Sequence, residues 1–168
     1  MEESVTAVST LTLVWASRET GDMQTPRRYL GFAIDGRPLL DCFRGRLGAP
    51  PDLVGPLDVD GSGYQALVRE QLLLRAPGEL SDGRQALLVC PECGDLGCGG
   101  ITAVIERVGD QIVWRDFGHQ YRDEPGLTEG FGYPHVGPFT FDAAAYERVL
   151  LSAPPDGGDS RDRQPAPR

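Results

Sequence analysis

Cys90, Cys93 and Cys98 fall within nine residues, in the run Cys90-Pro91-Glu92-Cys93-Gly94-Asp95-Leu96-Gly97-Cys98-Gly99-Gly100. Thiolates are soft ligands that suit zinc, and a glycine directly after the second cysteine lets backbone N–H groups turn toward the sulfurs and stabilise their charge. A closed zinc site takes four ligands, and only three are local here. Cys42 is the first choice for the fourth, because it would complete an all-thiolate set from a neighbouring strand. His119, His135 and Asp95 are the alternatives. The same spacing also fits a tight turn with unliganded thiols, and a redox pair.

The redox reading rests on Cys90-Pro91-Glu92-Cys93, which is similar to the Cys-Pro-x-Cys of glutaredoxin-like proteins, with Cys98 as a resolving thiol. In those folds the reactive thiolate sits at a helix N-terminus. Gly94, Gly97, Gly99 and Gly100 do not sustain such a helix. Other motifs are weaker. Asp58, Asp60, Ser62 and Gly63 imitate the first half of a calcium loop, but Arg69 stands where a bidentate glutamate belongs. Gly61-x-Gly63-x-x-Ala66 follows a Pro-rich loop where a dinucleotide fingerprint requires a strand. Asp116, set among Trp114, Phe117, Phe139 and Phe141, could line a pocket, although alternating aromatics on antiparallel strands more often make core and cross-strand pairs.

The elements that must position these residues read as an α+β fold. Val5 to Ser17 is a strand in which Leu11, Leu13 and Trp15 alternate with Thr10, Thr12 and Val14. Tyr29 to Ile34 and Arg37 to Cys42 flank Asp35-Gly36, the dipeptide suited to a two-residue hairpin turn. Tyr64 to Leu74 is a short helix, or equally a buried strand at its end, with Leu67, Leu72 and Leu74 among its apolar positions. Gln85 to Cys90, Gly99 to Val108 and Gln111 to Phe117 form an antiparallel meander, turned between the last two by Gly109-Asp110. After a Gly- and Pro-rich loop from Gly118 to Pro138, Phe139 to Phe141 leads into Asp142, the cap of a helix from Ala143 to about Leu151 with Tyr146, Val149 and Leu150 on its buried face.

At 168 residues the chain suits one domain, expected over residues 1–153, with a disordered tail at 154–168 whose Pro, Gly, Asp and Arg offer nothing to bury. The net charge of -9 argues against nucleic acid or an anionic membrane as partner and favours a basic or neutral protein. All 16 positive side chains are arginine, so Schiff-base and Walker-lysine chemistry is excluded. No apolar run approaches the roughly 20 residues of a membrane helix, and the start lacks a basic signal region. Clustered cysteines that could staple little chain suit a reducing cytoplasm.

The Cys90–Gly99 motif, Val113-Trp114-x-Asp116-Phe117, Gly137-Pro138-Phe139-x-Phe141-Asp142 and Tyr146, with a weaker echo in Tyr29 to Gly36, together resemble a family of uncharacterised bacterial proteins common in actinomycetes. Some members of that family carry an oxidoreductase label, and some have a shorter Cys-x-Cys-Gly turn. The resemblance implies a bacterial cytosolic α+β domain. Two functions are expected from the cysteines: a binding or regulatory domain whose hairpin tip holds structural zinc, or a thiol-dependent oxidoreductase or redox sensor.

Overall fold

The computed structural model describes residues 7–18, 27–44, 48, 51–57, 64–93, 96–121 and 132–152. The calcium-loop and dinucleotide look-alikes at 58–63, Asp95 and the tail from 154 lie outside the described residues. The described strands are β1 (Val8–Ser9), β2 (Leu11–Arg18), β3 (Arg27–Ile34), β4 (Arg37–Pro38), β5 (Gln85–Val89), β6 (Gly100–Val108), β7 (Gln111–Gln120) and β8 (Phe139–Asp142); the helices are α1 (Tyr64–Leu72) and α2 (Ala143–Leu151). They make an α+β domain with a five-stranded sheet ordered β1-β8-β7-β6-β5 and a three-stranded sheet ordered β2-β3-β4. The expected meander is β5 to β7, antiparallel throughout, and β8 adds to it antiparallel beside β7.

The single strand expected from Val5 to Ser17 is divided at Thr10. Val8 and Ser9 pair in parallel with β8, whereas Leu11 to Arg18 pair with β3. The Asp35 carboxylate accepts the Thr10 N–H at 2.8 Å, and Asp35 N–H donates to the Thr10 carbonyl at 2.9 Å. These bonds satisfy the backbone where the chain leaves one sheet for the other.

Asp35 and Gly36 both take positive φ, 52° and 82°, as a two-residue hairpin between Ile34 and Arg37 requires. The strand expected from Arg37 to Cys42 stops at Pro38, however, and becomes a 3-10 helix over Leu39–Phe43. Proline brings no N–H to a further ladder rung, and the helical turn places Leu39 and Phe43 together in the core. Helix α1 differs in its apolar face: Val68 and Leu72 are buried, while Leu67 is 48% exposed and Leu74 42%. Its C-terminus closes with Arg75 N–H on the Glu70 carbonyl and Leu74 N–H on that of Gln71. This is the Schellman pattern, and it puts Leu74 at φ 60° where glycine is favoured.

The larger core centres on Trp114. Its ring makes edge contacts with Phe32, Phe141 and Tyr146 at centroid distances of 5.4, 5.2 and 6.1 Å. Its indole Nε1–H donates to the Tyr146 hydroxyl at 3.2 Å, and that hydroxyl donates to the Leu72 carbonyl at 2.8 Å. Burial pushes the Tyr146 hydroxyl well above its ordinary pKa, so it remains a donor. Helix α2 starts where expected, with the Asp142 carboxylate accepting the Ala145 N–H at 2.9 Å. Tyr146 and Leu150 are buried, and Val149 packs at the edge.

Strand β7 runs on past Phe117 to Gln120 because a bulge lets it. Thr102 faces Gly118 and Val104 faces Arg115, so two residues of β7 oppose one of β6, and Asp116 sits at φ 55° within the irregularity. The extra residue shifts the strand's phase, which is why Trp114 and Phe117, three apart, both reach the core. Arg84, 7% exposed, secures this region. Its Nε donates to Thr102 Oγ1 at 3.1 Å and Gln120 Oε1 at 2.9 Å, and its Nη2 donates to the Thr102 carbonyl at 3.1 Å and to the Asp116 carbonyl inside the bulge.

Three stability outcomes follow from these features. Tyr146→Phe strips a partner from both the Trp114 indole and the Leu72 carbonyl, and should cost about 2–3 kcal/mol in urea unfolding. Gly36→Val should cost about 1–2 kcal/mol even though a side chain there meets nothing within 4 Å, because the penalty is conformational. Leu74→Gly should act in the opposite direction, raising the urea midpoint by an amount equivalent to up to about 1 kcal/mol.

Candidate metal centre

The cysteine tip stands on the β5–β6 hairpin. All five residues of β5 are buried, and its last, Val89, exchanges two backbone hydrogen bonds with Val54 at 2.8 and 3.0 Å. The ladder ends there, and Cys90 begins the turn. Beneath it a second, smaller core of Tyr29, Val54, Leu80, Ala86, Val89 and Leu96 fills the space. Leu96 opens a 3-10 turn, Leu96–Cys98, and accepts the Gly99 N–H at 3.0 Å, so one buried leucine anchors the returning arm. Gly99 has φ 90°, and a Cβ on Gly100 would lie 2.2 Å from the Leu88 carbonyl oxygen. Both glycines are therefore needed for the third cysteine to return onto β6.

The result brings Cys90, Cys93 and Cys98 together, with all three sulfurs within 4.8 Å of one another. Cys90 is half-buried; Cys93 and Cys98 are exposed. The Cys93 and Cys98 sulfurs are in disulfide-like contact. Among the described residues this is the one group of three or more His, Cys, Asp or Glu side chains gathered closely enough to hold a metal ion.

Arg18 ties the tip to the rest of the molecule. Its Nη1 donates to Glu92 Oε1 at 2.7 Å, while Nε and Nη2 grip both oxygens of Asp52 at 2.8 and 2.6 Å. Only 9% of the Arg18 side chain is exposed. Sequence reading missed this clamp, since 74 residues separate Arg18 from Glu92 and neither lies in a recognisable pattern with the other.

Cys42, expected as the fourth ligand, is not brought to this group. It sits in the 3-10 helix after β4 and lines a separate cavity of about 270 Å³ with Asp35, Arg37 and His135. Burial pushes its thiol pKa up, the opposite of what an activated nucleophile needs. His135 is thereby also removed from the tip. His119 is different: it lies on β7 opposite Ile101, one rung from the start of β6, and its imidazole rests against Gly99. Burial holds that imidazole below its ordinary pKa.

The aromatic group around Asp116 divides. Trp114, Phe117 and Phe141 are core, with Phe117 and Phe139 stacked edge to face at 5.7 Å. The Asp116 carboxylate faces outward, pairs with Arg115 and borders a cavity of about 320 Å³ beside Phe117, Tyr133 and Val136. No helix among the described residues is long and apolar enough to cross a membrane. Compared with family models, curated proteins and solved structures, the chain matches none.

Proposed function

We propose that the Cys90, Cys93 and Cys98 tip holds a zinc ion as the structural centre of a cytosolic binding or regulatory domain. The observation that carries this reading is the gathering of three sulfurs within 4.8 Å at the end of one hairpin. Zinc–thiolate bonds of about 2.3 Å in a tetrahedron require sulfurs about 3.8 Å apart, so taking the ion requires the Cys93 and Cys98 sulfurs to part from their disulfide-like contact as two thiolates. Zinc would link the outgoing and returning arms of the turn. It would also neutralise thiolate charge in a chain whose net charge is already -9. That acidity suits a basic or neutral protein partner for the domain.

A second reading is favoured by one specific feature, the disulfide-like contact of Cys93 with Cys98. In it the three thiols form a redox centre, with Cys90 as the third participant.

Metal analysis of protein purified without added zinc separates the two. The zinc reading expects close to one equivalent, a lower Tm in the presence of a chelator, shielding of the three thiols from alkylation, and loss of metal in Cys90→Ser or Cys93→Ser. Metal-free protein with a fast-reacting thiol, together with a reversible bond between two of the three cysteines under mild oxidation, would overturn it in favour of the redox centre.

A further inference from the structure

We infer that His119 supplies the fourth ligand, so that the centre is Cys3His rather than the all-thiolate set that Cys42 would have made. This rests on the zinc reading of the tip.

The case is built from register and close approach. Strand β6 starts at Gly100, directly after Cys98 and Gly99, and β7 pairs with it so that Gly100 faces Gln120 and Ile101 faces His119. The end of β7 therefore runs beside the residue that follows the third cysteine. A Cβ placed on Gly99 would lie 2.7 Å from His119 Cε1 and 3.0 Å from His119 Nε2. The ring thus presents its Cε1–Nε2 edge to the Gly99 backbone, one peptide unit, about 3.8 Å between Cα atoms, from Cys98.

Gly99 is required twice over, by its φ of 90° and by the imidazole that occupies the place of a side chain. Tyr121 completes the arrangement. Its ring packs edge to face on the imidazole at 5.0 Å, and its Cε1 lies 2.9 Å from that same Cβ position, so the two rings share the floor of the tip. The imidazole nitrogens stand outside the 4.8 Å sulfur group, and coordination requires a rotation of the His119 side chain toward Cys98. No other histidine competes, because the chain has two and His135 lines the cavity with Cys42.

The chemistry favours this set. Imidazole nitrogen binds zinc at about 2.0–2.1 Å, shorter than a thiolate sulfur, and is an ordinary partner of three cysteines in closed structural sites. Three thiolates and a neutral imidazole leave the zinc centre with one negative charge, where four thiolates would leave two. In a strongly acidic chain the smaller charge is the less costly to hold.

Cobalt substitution of the full chain tests the assignment, since thiolate and imidazole ligands give different visible spectra. Cobalt in the wild type should show a tetrahedral Cys3His spectrum. His119→Ala should lower zinc affinity by at least the roughly 10- to 100-fold that loss of a ligand's outer partner costs, and should change the cobalt bands. His119→Cys, which restores four ligands, should recover affinity with a stronger sulfur charge-transfer band, guarding against a His119→Ala protein that merely folds poorly. Cys42→Ser should change neither affinity nor spectrum. Wild-type protein that binds zinc while His119→Ala retains the same affinity and spectrum overturns the His119 assignment and leaves the zinc reading standing; loss of metal in Cys42→Ser alone does the same. A wild type that binds no metal overturns both.

Discussion

The Trp114 indole holds together elements that are far apart in the chain, through one hydrogen-bond relay and three ring contacts. Its N–H reaches the Tyr146 hydroxyl on α2, and that hydroxyl reaches the last carbonyl of α1 at Leu72. Each link satisfies a polar group that burial would otherwise leave stranded, at a cost of about 1–3 kcal/mol apiece. The ring itself packs on Phe32 of the three-stranded sheet and Phe141 of the five-stranded one. The two sheets and α2 therefore meet at a single side chain, with α1 joined through Tyr146, and the position of β7 follows from it.

What happens farther along β7 depends on a one-residue irregularity. In an unbroken strand Trp114 and Phe117 would point to opposite faces. The bulge at Asp116 brings both inward and resets every residue after it, including His119 and Gln120. Arg84 accepts the consequence: it binds the carbonyl freed at Asp116 and links Thr102 to Gln120 across the strands. Gln120 in turn donates to Asp82 at 3.0 Å. The same strand thus delivers an aromatic to the core at one end and an imidazole against Gly99 at the other.

The parts legible in the sequence are those whose cause is local. Asp35-Gly36 specifies its turn through φ preferences of two residues, Asp142 caps its helix with its own carboxylate, and the apolar runs of β5, β6 and β7 announce a meander. The gathering of Cys90, Cys93 and Cys98 is local as well, since one hairpin tip carries all three. The parts that were not legible turn on long-range pairing or on a phase change. Thr10 divides a continuous strand pattern because Asp35, 25 residues away, captures its N–H. Pro38 ends a strand that its apolar neighbours would have continued, and Leu39 and Phe43 find the core as a helical turn instead. Cys42 was placed by the strand that failed to form, so its separation from the tip follows from the same proline. The proximity of His119 to Gly99 needs both the β6–β7 register and the bulge, and neither has a signature in the spacing of residue types.

The absence of lysine acquires a structural sense at Arg84 and Arg18. Arg84 forms four hydrogen bonds, to a hydroxyl, an amide oxygen and two backbone carbonyls, from Nε and Nη2. Arg18 divides its three nitrogens between two carboxylates, gripping Asp52 with two of them and Glu92 with the third. A planar guanidinium can hold such partners at fixed angles, whereas an ammonium is a point donor on a flexible stem. The first fork supports the bulge that sets the phase of β7, and the second anchors Glu92 between Cys90 and Cys93. Both arms of the cysteine tip are thereby referred back to rigid strands: the outgoing turn through Arg18 at the end of β2, the returning arm through Gly99 and Gly100 against β7 and β5. The tip inherits its geometry from the two sheets, which is why three sulfurs on a turn so rich in glycine stand together.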